Sequence, residues 1–173
     1  MAKKNKSKAA NLIMMLIGLA MAVVSLIGLA VKFISEKTTI VGYSATTNWS
    51  LSQWFDNINR LQDLDDNIGN WQIARVLLFV TAVLLAVMVV ALLVKSFAKK
   101  NVVLKWLTFG LAVAVLGSAI AFMVTTLTGC SALSYEIALA KTSVKYLANI
   151  GFYLFSIGAL LSSVTVAVVA VRK

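Results

Sequence analysis

The sequence predicts an all-α protein, an antiparallel four-helix transmembrane bundle with both termini cytoplasmic and an amphipathic helix in the first extracytoplasmic loop. Three observations predict it: four long apolar runs, cations gathered in alternate hydrophilic segments, and a complete absence of proline. The runs cover about residues 9–31, 73–94, 102–127 and 147–171. Each exceeds the roughly 20 residues that a helix needs to cross a bilayer. With 61% of 173 residues apolar, little chain is left for a second unit, so residues 1–173 read as a single integral membrane domain.

The runs are read as helices because hydrocarbon offers no partner to a backbone N–H or C=O, and a helix satisfies both internally. A barrel would need apolar and polar residues in alternation. Leu77-Leu78-Phe79-Val80 and Val87-Met88-Val89-Val90 show none. Without proline, no helix is broken by loss of a donor. The first run follows a lysine-rich stretch and contains Gly28-Leu29-Ala30, which a signal peptidase could cut. Its apolar core is about twice the 7–15 residues of a secretory signal, so it is read as an uncleaved span.

Orientation comes from charge. Lys3, Lys4, Lys6 and Lys8, then Lys95, Lys99, Lys100 and Lys105, then Arg172 and Lys173 carry the net charge of +10 with no acid among them. All six acids (Glu36, Asp56, Asp63, Asp65, Asp66, Glu136) fall in the other two segments, about 32–72 and 128–146. Short cationic segments are retained on the cytoplasmic side during insertion. The termini and the inner loop, about 95–101, are therefore placed in the cytoplasm, and the acidic loops outside a plasma (cytoplasmic) membrane. The expected partner of Lys3, Lys4, Lys6, Lys8, Lys95, Lys99, Lys100 and Lys105 is the anionic headgroup layer of the inner leaflet. Nucleic acid is not expected, because these cations flank apolar runs and form no groove.

Small residues recur at helical spacing: Gly18 and Ala22 in the first run, Gly110, Ala114 and Ser118 with Gly117 alongside in the third, and Gly151, Gly158 and Ser162 in the fourth. Such rows let backbones approach where no hydrophobic drive separates helix from lipid. They are read as helix-packing faces within the chain, with self-association as their other use.

Chemistry is hard to place in this chain. Histidine is absent, and away from the run ends no span holds an ionisable side chain. Pumps and ion-coupled carriers mark their routes with such groups. A nucleophilic serine or cysteine would lack a base. The cluster Asp63, Asp65, Asp66 lacks the glycine and distal glutamate of a calcium loop. The single Cys130 excludes an internal disulfide and a zinc site. Leu127-Thr128-Gly129-Cys130 resembles a bacterial lipobox, but cutting there would discard three of the four spans, so Cys130 is read as a small apolar residue. Neither catalysis nor a cofactor or metal is expected.

The first outer loop holds the most information. Ser50 and Gln53 form a capping box, after which Trp54, Phe55, Ile58 and Leu61 follow helical spacing. Residues 38–47, rich in threonine around Gly42, suggest an extended or hairpin segment. Trp49, Trp54, Phe55, Ile58 and Leu61 are the expected contact residues, for a protein partner or for the membrane interface, unless the helix simply roofs the bundle. Asn48-Trp49-Ser50 also fits the glycosylation pattern.

Four spans, cytoplasmic ends and a larger first outer loop bearing Trp49 and Trp54 make a layout that resembles the claudins and related tetraspan proteins. The resemblance covers topology alone. The claudin loop carries a Gly-Leu-Trp run and a cysteine pair, and this loop has neither, so no family residue is carried over. The function expected is that of a non-catalytic scaffold or accessory subunit, with a protein partner or self-association through the outer loop and small-residue faces. The alternative is a homo-oligomeric channel or small-solute pore lined by Ser and Thr hydroxyls.

Overall fold

The computed structural model describes residues 2–62, 68–98, 101–137 and 141–171, with side chains from residue 9 onward. In chain order the elements are α1 (Ala2–Ala30), β1 (Ile34–Ile40), β2 (Tyr43–Trp49), α2 (Leu51–Leu61), α3 (Gly69–Phe97), α4 (Val102–Leu133), β3 (Tyr135–Ile137), β4 (Thr142–Ala148) and α5 (Ile150–Val171). Four of the helices, α1 from Ala9 onward, α3, α4 and α5, are long and apolar enough to cross a membrane. This is the composition of a multi-pass membrane protein.

The all-α expectation is corrected. The molecule is mostly helical, but the segments joining helices at one end supply a four-stranded antiparallel sheet in the order β2-β1-β4-β3. β1 pairs on one side with β2 (Ile34↔Trp49 to Ile40↔Tyr43) and on the other with β4 (Ile34↔Ala148 to Ile40↔Thr142). Threonines and β-branched residues suit such a half-buried pleated surface. Several span limits move: α5 starts at Ile150, because 147 and 148 belong to β4, α4 continues past 127 to Leu133, and α3 runs from Gly69 to Phe97 rather than about 73–94.

Within the bundle α1 packs along α5, α5 along α4, and α4 along α3. The closest approach is between α1 and α5. A Cβ on Gly28 would lie 2.5 Å from the Phe155 nitrogen and 2.6 Å from the Gly151 oxygen, and one on Gly158 would lie 2.7 Å from the Ser25 nitrogen. Two hydroxyls use this proximity to bond the opposite backbone: Ser25 Oγ donates to the Phe155 carbonyl and Ser162 Oγ to the Gly18 carbonyl, both at 2.8 Å. Gly18 and Ala22 on α1, and Gly151, Gly158 and Ser162 on α5, all fall in this tightly packed region.

On α4 the small-residue row faces away from the bundle, contrary to expectation. Gly110, Ala114 and Gly117 are exposed, and a Cβ at Gly110 or Gly117 would meet nothing within 4 Å. Ser118 is half-buried and bonds only its own helix, at the Val115 carbonyl. The face that packs carries Thr108, Ala112, Val115, Ala119 and Phe122 instead. α4 is apolar all round, so the position of its small residues alone does not say which side meets a neighbour.

At the end away from the sheet, Asn101 caps α4 by accepting from the Leu104 N–H. There the Lys95 ammonium reaches from α3 to donate to the Val169 carbonyl on α5, at 2.9 Å.

Candidate functional site at the sheet end

Alternation along the strands gives the sheet two unlike faces. Ile34, Trp49 and Val144 are buried toward the bundle, whereas Lys37, Ser44, Thr46, Asn48 and Lys145 on the opposite face are exposed. Lys37 and Lys145 stand directly opposite one another in register. Like charges so placed oppose strand pairing, and Glu136, which pairs with Ser143, is the acid that shares their face.

Beneath the sheet lies a cluster of aromatic rings. Trp54 packs on Phe33 at 5.4 Å between centroids, on Phe55 at 5.5 Å and on Trp71 at 5.9 Å. Trp49 meets Tyr146 at 5.5 Å and Trp71 at 6.2 Å. The Trp71 indole lies directly over Gly129, where any side chain would collide with its ring. The Trp54–Trp71 and Trp49–Trp71 pairs meet edge to face, and such contacts add to simple area burial. Among the described residues the Trp54 indole N–H is enclosed without a hydrogen-bond acceptor, and the Trp71 indole has the Cys130 thiol beside it.

This packing corrects the expected contact surface. Trp49, Trp54 and Ile58 are buried, Phe55 and Leu61 are half-buried, and all five join the core cluster that seats α2 and the sheet on the bundle. α2 turns its apolar side down because Leu51, Trp54, Ile58 and Leu61 share one face. Its capping box is formed, with Gln53 N–H donating to Ser50 Oγ and Ser50 N–H to Gln53 Oε1. Arg75 on α3 reaches Asn59 Oδ1 at 2.7 Å and fixes the exposed side of the same helix.

A polar knot ties the two connecting segments together. Asn149 Nδ2 donates to Ser35 Oγ and Asn48 Oδ1, Ser35 Oγ donates to Asn48 Oδ1, and the Ile150 N–H donates to Asn149 Oδ1 as α5 begins. Ser134, just past α4, accepts from the Tyr146 N–H and donates to the Cys130 carbonyl. Sheet, α4 and α5 are therefore joined by directed bonds as well as by rings.

The residues actually presented outward are others. Ile40, Val41 and Tyr43 at the β1–β2 tip, with Tyr135 and Ile137 on β3, are large and exposed, Tyr43 at 86% and Val41 at 64%. Register sets Tyr43, Ile40, Thr142 and Ile137 in one row across the sheet, on the face that Trp49 and Ile34 use nearer the bundle. The turn between them is Val41-Gly42, with φ of +46° and +85°. The hairpin expected around Gly42 at residues 38–47 thus forms, with strands that extend beyond it to 34–40 and 43–49.

Of the lysines expected to touch lipid, Lys95 and Lys105 are half-buried at the far end of the bundle. The side chains of Lys3, Lys4, Lys6 and Lys8, the whole of Lys99 and Lys100, and the acids Asp63, Asp65 and Asp66 lie outside the described residues. Among the described residues no three His, Cys, Asp or Glu side chains gather where a metal could sit. Four buried threonines turn to the carbonyls of their own helices, Thr81 to Leu77, Thr108 to Leu104, Thr126 to Phe122 and Thr165 to Leu161, whereas Ser25 and Ser162 bond across the α1–α5 contact and Ser156 Oγ is buried with no partner among the described residues. No protein-family model and no curated protein matches the chain.

Proposed function

We propose that this protein is a plasma-membrane scaffold or accessory subunit that acts without catalysis, by contact through its sheet. The observation that carries the reading is the apolar tip of Ile40, Val41, Tyr43, Tyr135 and Ile137, exposed at the end of a sheet whose other end is locked to the bundle by rings and the Asn149 knot. Large apolar side chains held out on a rigid support are the usual make-up of a protein contact surface. The exposed Lys37 and Lys145 on the opposite face favour a partner with carboxylates there. The charge asymmetry of the sequence places this sheet outside and both termini in the cytoplasm. The hydroxyls of Thr81, Thr108 and Thr126, spent on their own helices, weigh against the pore alternative, in which they would face water.

The test is photocrosslinking in native membranes with a probe at Tyr43, compared with a probe at the buried Ile58. A discrete product from position 43 that vanishes when Val41→Asp and Ile137→Asp are introduced supports the reading. Absence of any product from position 43, or turnover of a substrate by the purified chain, overturns it.

A further inference from the structure

At the end of the bundle away from the sheet, Phe109 on α4 and Ala167, Val168 and Val171 on α5 line an open groove of about 350 Å³. Its walls are wholly apolar. Two lysines stand at its level. Lys105 precedes Phe109 by four residues on α4, so the two share one helix face. Lys95 donates to the carbonyl of Val169, the residue next to the groove-lining Val168. Both lysine side chains are half-buried at this end of the bundle.

Among the described residues no acid stands at this end of the bundle to balance the two cations. All six acids fall within 32–68 and 134–149, the segments that join helices at the sheet end. Lys105 has the Trp106 ring at 5.9 Å, a weak cation–π contact that leaves its charge in place. A pair of like charges beside an apolar groove, at the end of membrane-crossing helices, calls for a ligand with an anionic head and a hydrocarbon tail.

We infer that this groove binds an anionic phospholipid, with an acyl chain against Phe109, Val168 and Val171 and the phosphate between Lys95 and Lys105. Free phosphate would neutralise the lysines but leave the apolar walls unused. A second copy of the chain would cover the walls but bring further cations to a place that already has too many. The phospholipid satisfies both features, and basic pockets between transmembrane helices are suited to such headgroups.

Each lysine near a headgroup is worth a factor of about five in affinity, so the pair should favour an anionic lipid over a neutral one by at least about tenfold. The experiment is native mass spectrometry of the full chain released from detergent, titrated with phosphatidylglycerol and phosphatidylcholine of identical acyl chains. The wild-type protein retains phosphatidylglycerol preferentially. Lys105→Gln shrinks that preference about fivefold, and Val168→Trp weakens binding of both lipids while the lysines remain. Inorganic phosphate at millimolar concentration does not displace the bound lipid. Unfolding temperatures in lipid-free detergent confirm that each variant is folded, and Val171→Trp replaces Val168→Trp if the latter is not. The inference is overturned if Lys105→Gln keeps the full preference, if the filled groove binds lipid as before, or if phosphate alone competes the lipid away.

Discussion

Val41 is a β-branched residue held at φ +46°, in the left-handed region where a Cβ crowds the following carbonyl. Its neighbour Gly42, at +85°, has no such cost. Two-residue hairpins with both central residues left-handed favour Asn-Gly. Replacing Val41→Asn should therefore stabilise the fold by about 1 kcal/mol, seen as a higher unfolding midpoint in detergent. If the tip is a contact surface, the same variant loses crosslinking to its partner while gaining stability. A loss of stability would show that Val41 has packing within the sheet that outweighs its backbone strain. Gly28 makes the opposite case. Its missing side chain is where the Phe155 backbone lies, so Gly28→Ala should force α1 from α5 at a cost of about 1–3 kcal/mol, measured by denaturant unfolding. An unchanged midpoint would mean that α1 slides freely, and with it the Ser25 and Ser162 bonds would have to be remade.

The elements differ in how plainly the sequence announces them. α3 and α4 are near-unbroken apolar runs and are legible as spans from solvent physics alone, although uniform hydropathy hides which face packs. That is why Gly110, Ala114 and Gly117 were assigned to an inner face that Ala112, Val115 and Ala119 occupy. β4 was not legible: Leu147 and Ala148 merge into the apolar start of α5, and Lys145 breaks the run before them. Its pairing with β1 joins residues more than 100 positions apart, and no local pattern encodes that. The Ser50–Gln53 box is a local signal and forms, and the stripe behind it points inward rather than to a partner, because Phe33 and Trp71 offer rings to Trp54 and Phe79 offers one to Phe55. From this follow two expectations for α2. Ser50→Ala removes one cap and should cost about 1 kcal/mol, read as faster amide exchange confined to α2. Trp54→Ala empties the centre of the ring cluster and should cost about 3–5 kcal/mol, read as global unfolding. If Trp54→Ala left stability untouched, α2 would be an appendage and the sheet would have no fixed base.

At the scale of the whole molecule, the net charge of +10 is a statement about direction. In the proposed orientation the ten cations of the acid-free segments give insertion a single favoured sense, with the sheet exported and the α3–α4 connection retained. The chain offers a clean way to check this. Its one cysteine, Cys130, is 4% exposed and sits beneath the sheet, so an introduced thiol reports alone. Ser44 on β2 and Ala98 after α3 are both exposed, at opposite ends of the bundle. In intact cells a membrane-impermeant maleimide should label Ser44→Cys at once, and should label Ala98→Cys only after the membrane is opened. Replacing Lys95 and Lys105 with glutamine should leave that pattern intact, since the amino-terminal lysines still hold the first span in place. The reverse labelling pattern would put the apolar tip in the cytoplasm, where its partner would have to be sought instead. Labelling of both positions from outside would mean that α3 does not cross the membrane, and that the bundle is assembled in some other way than by four spans.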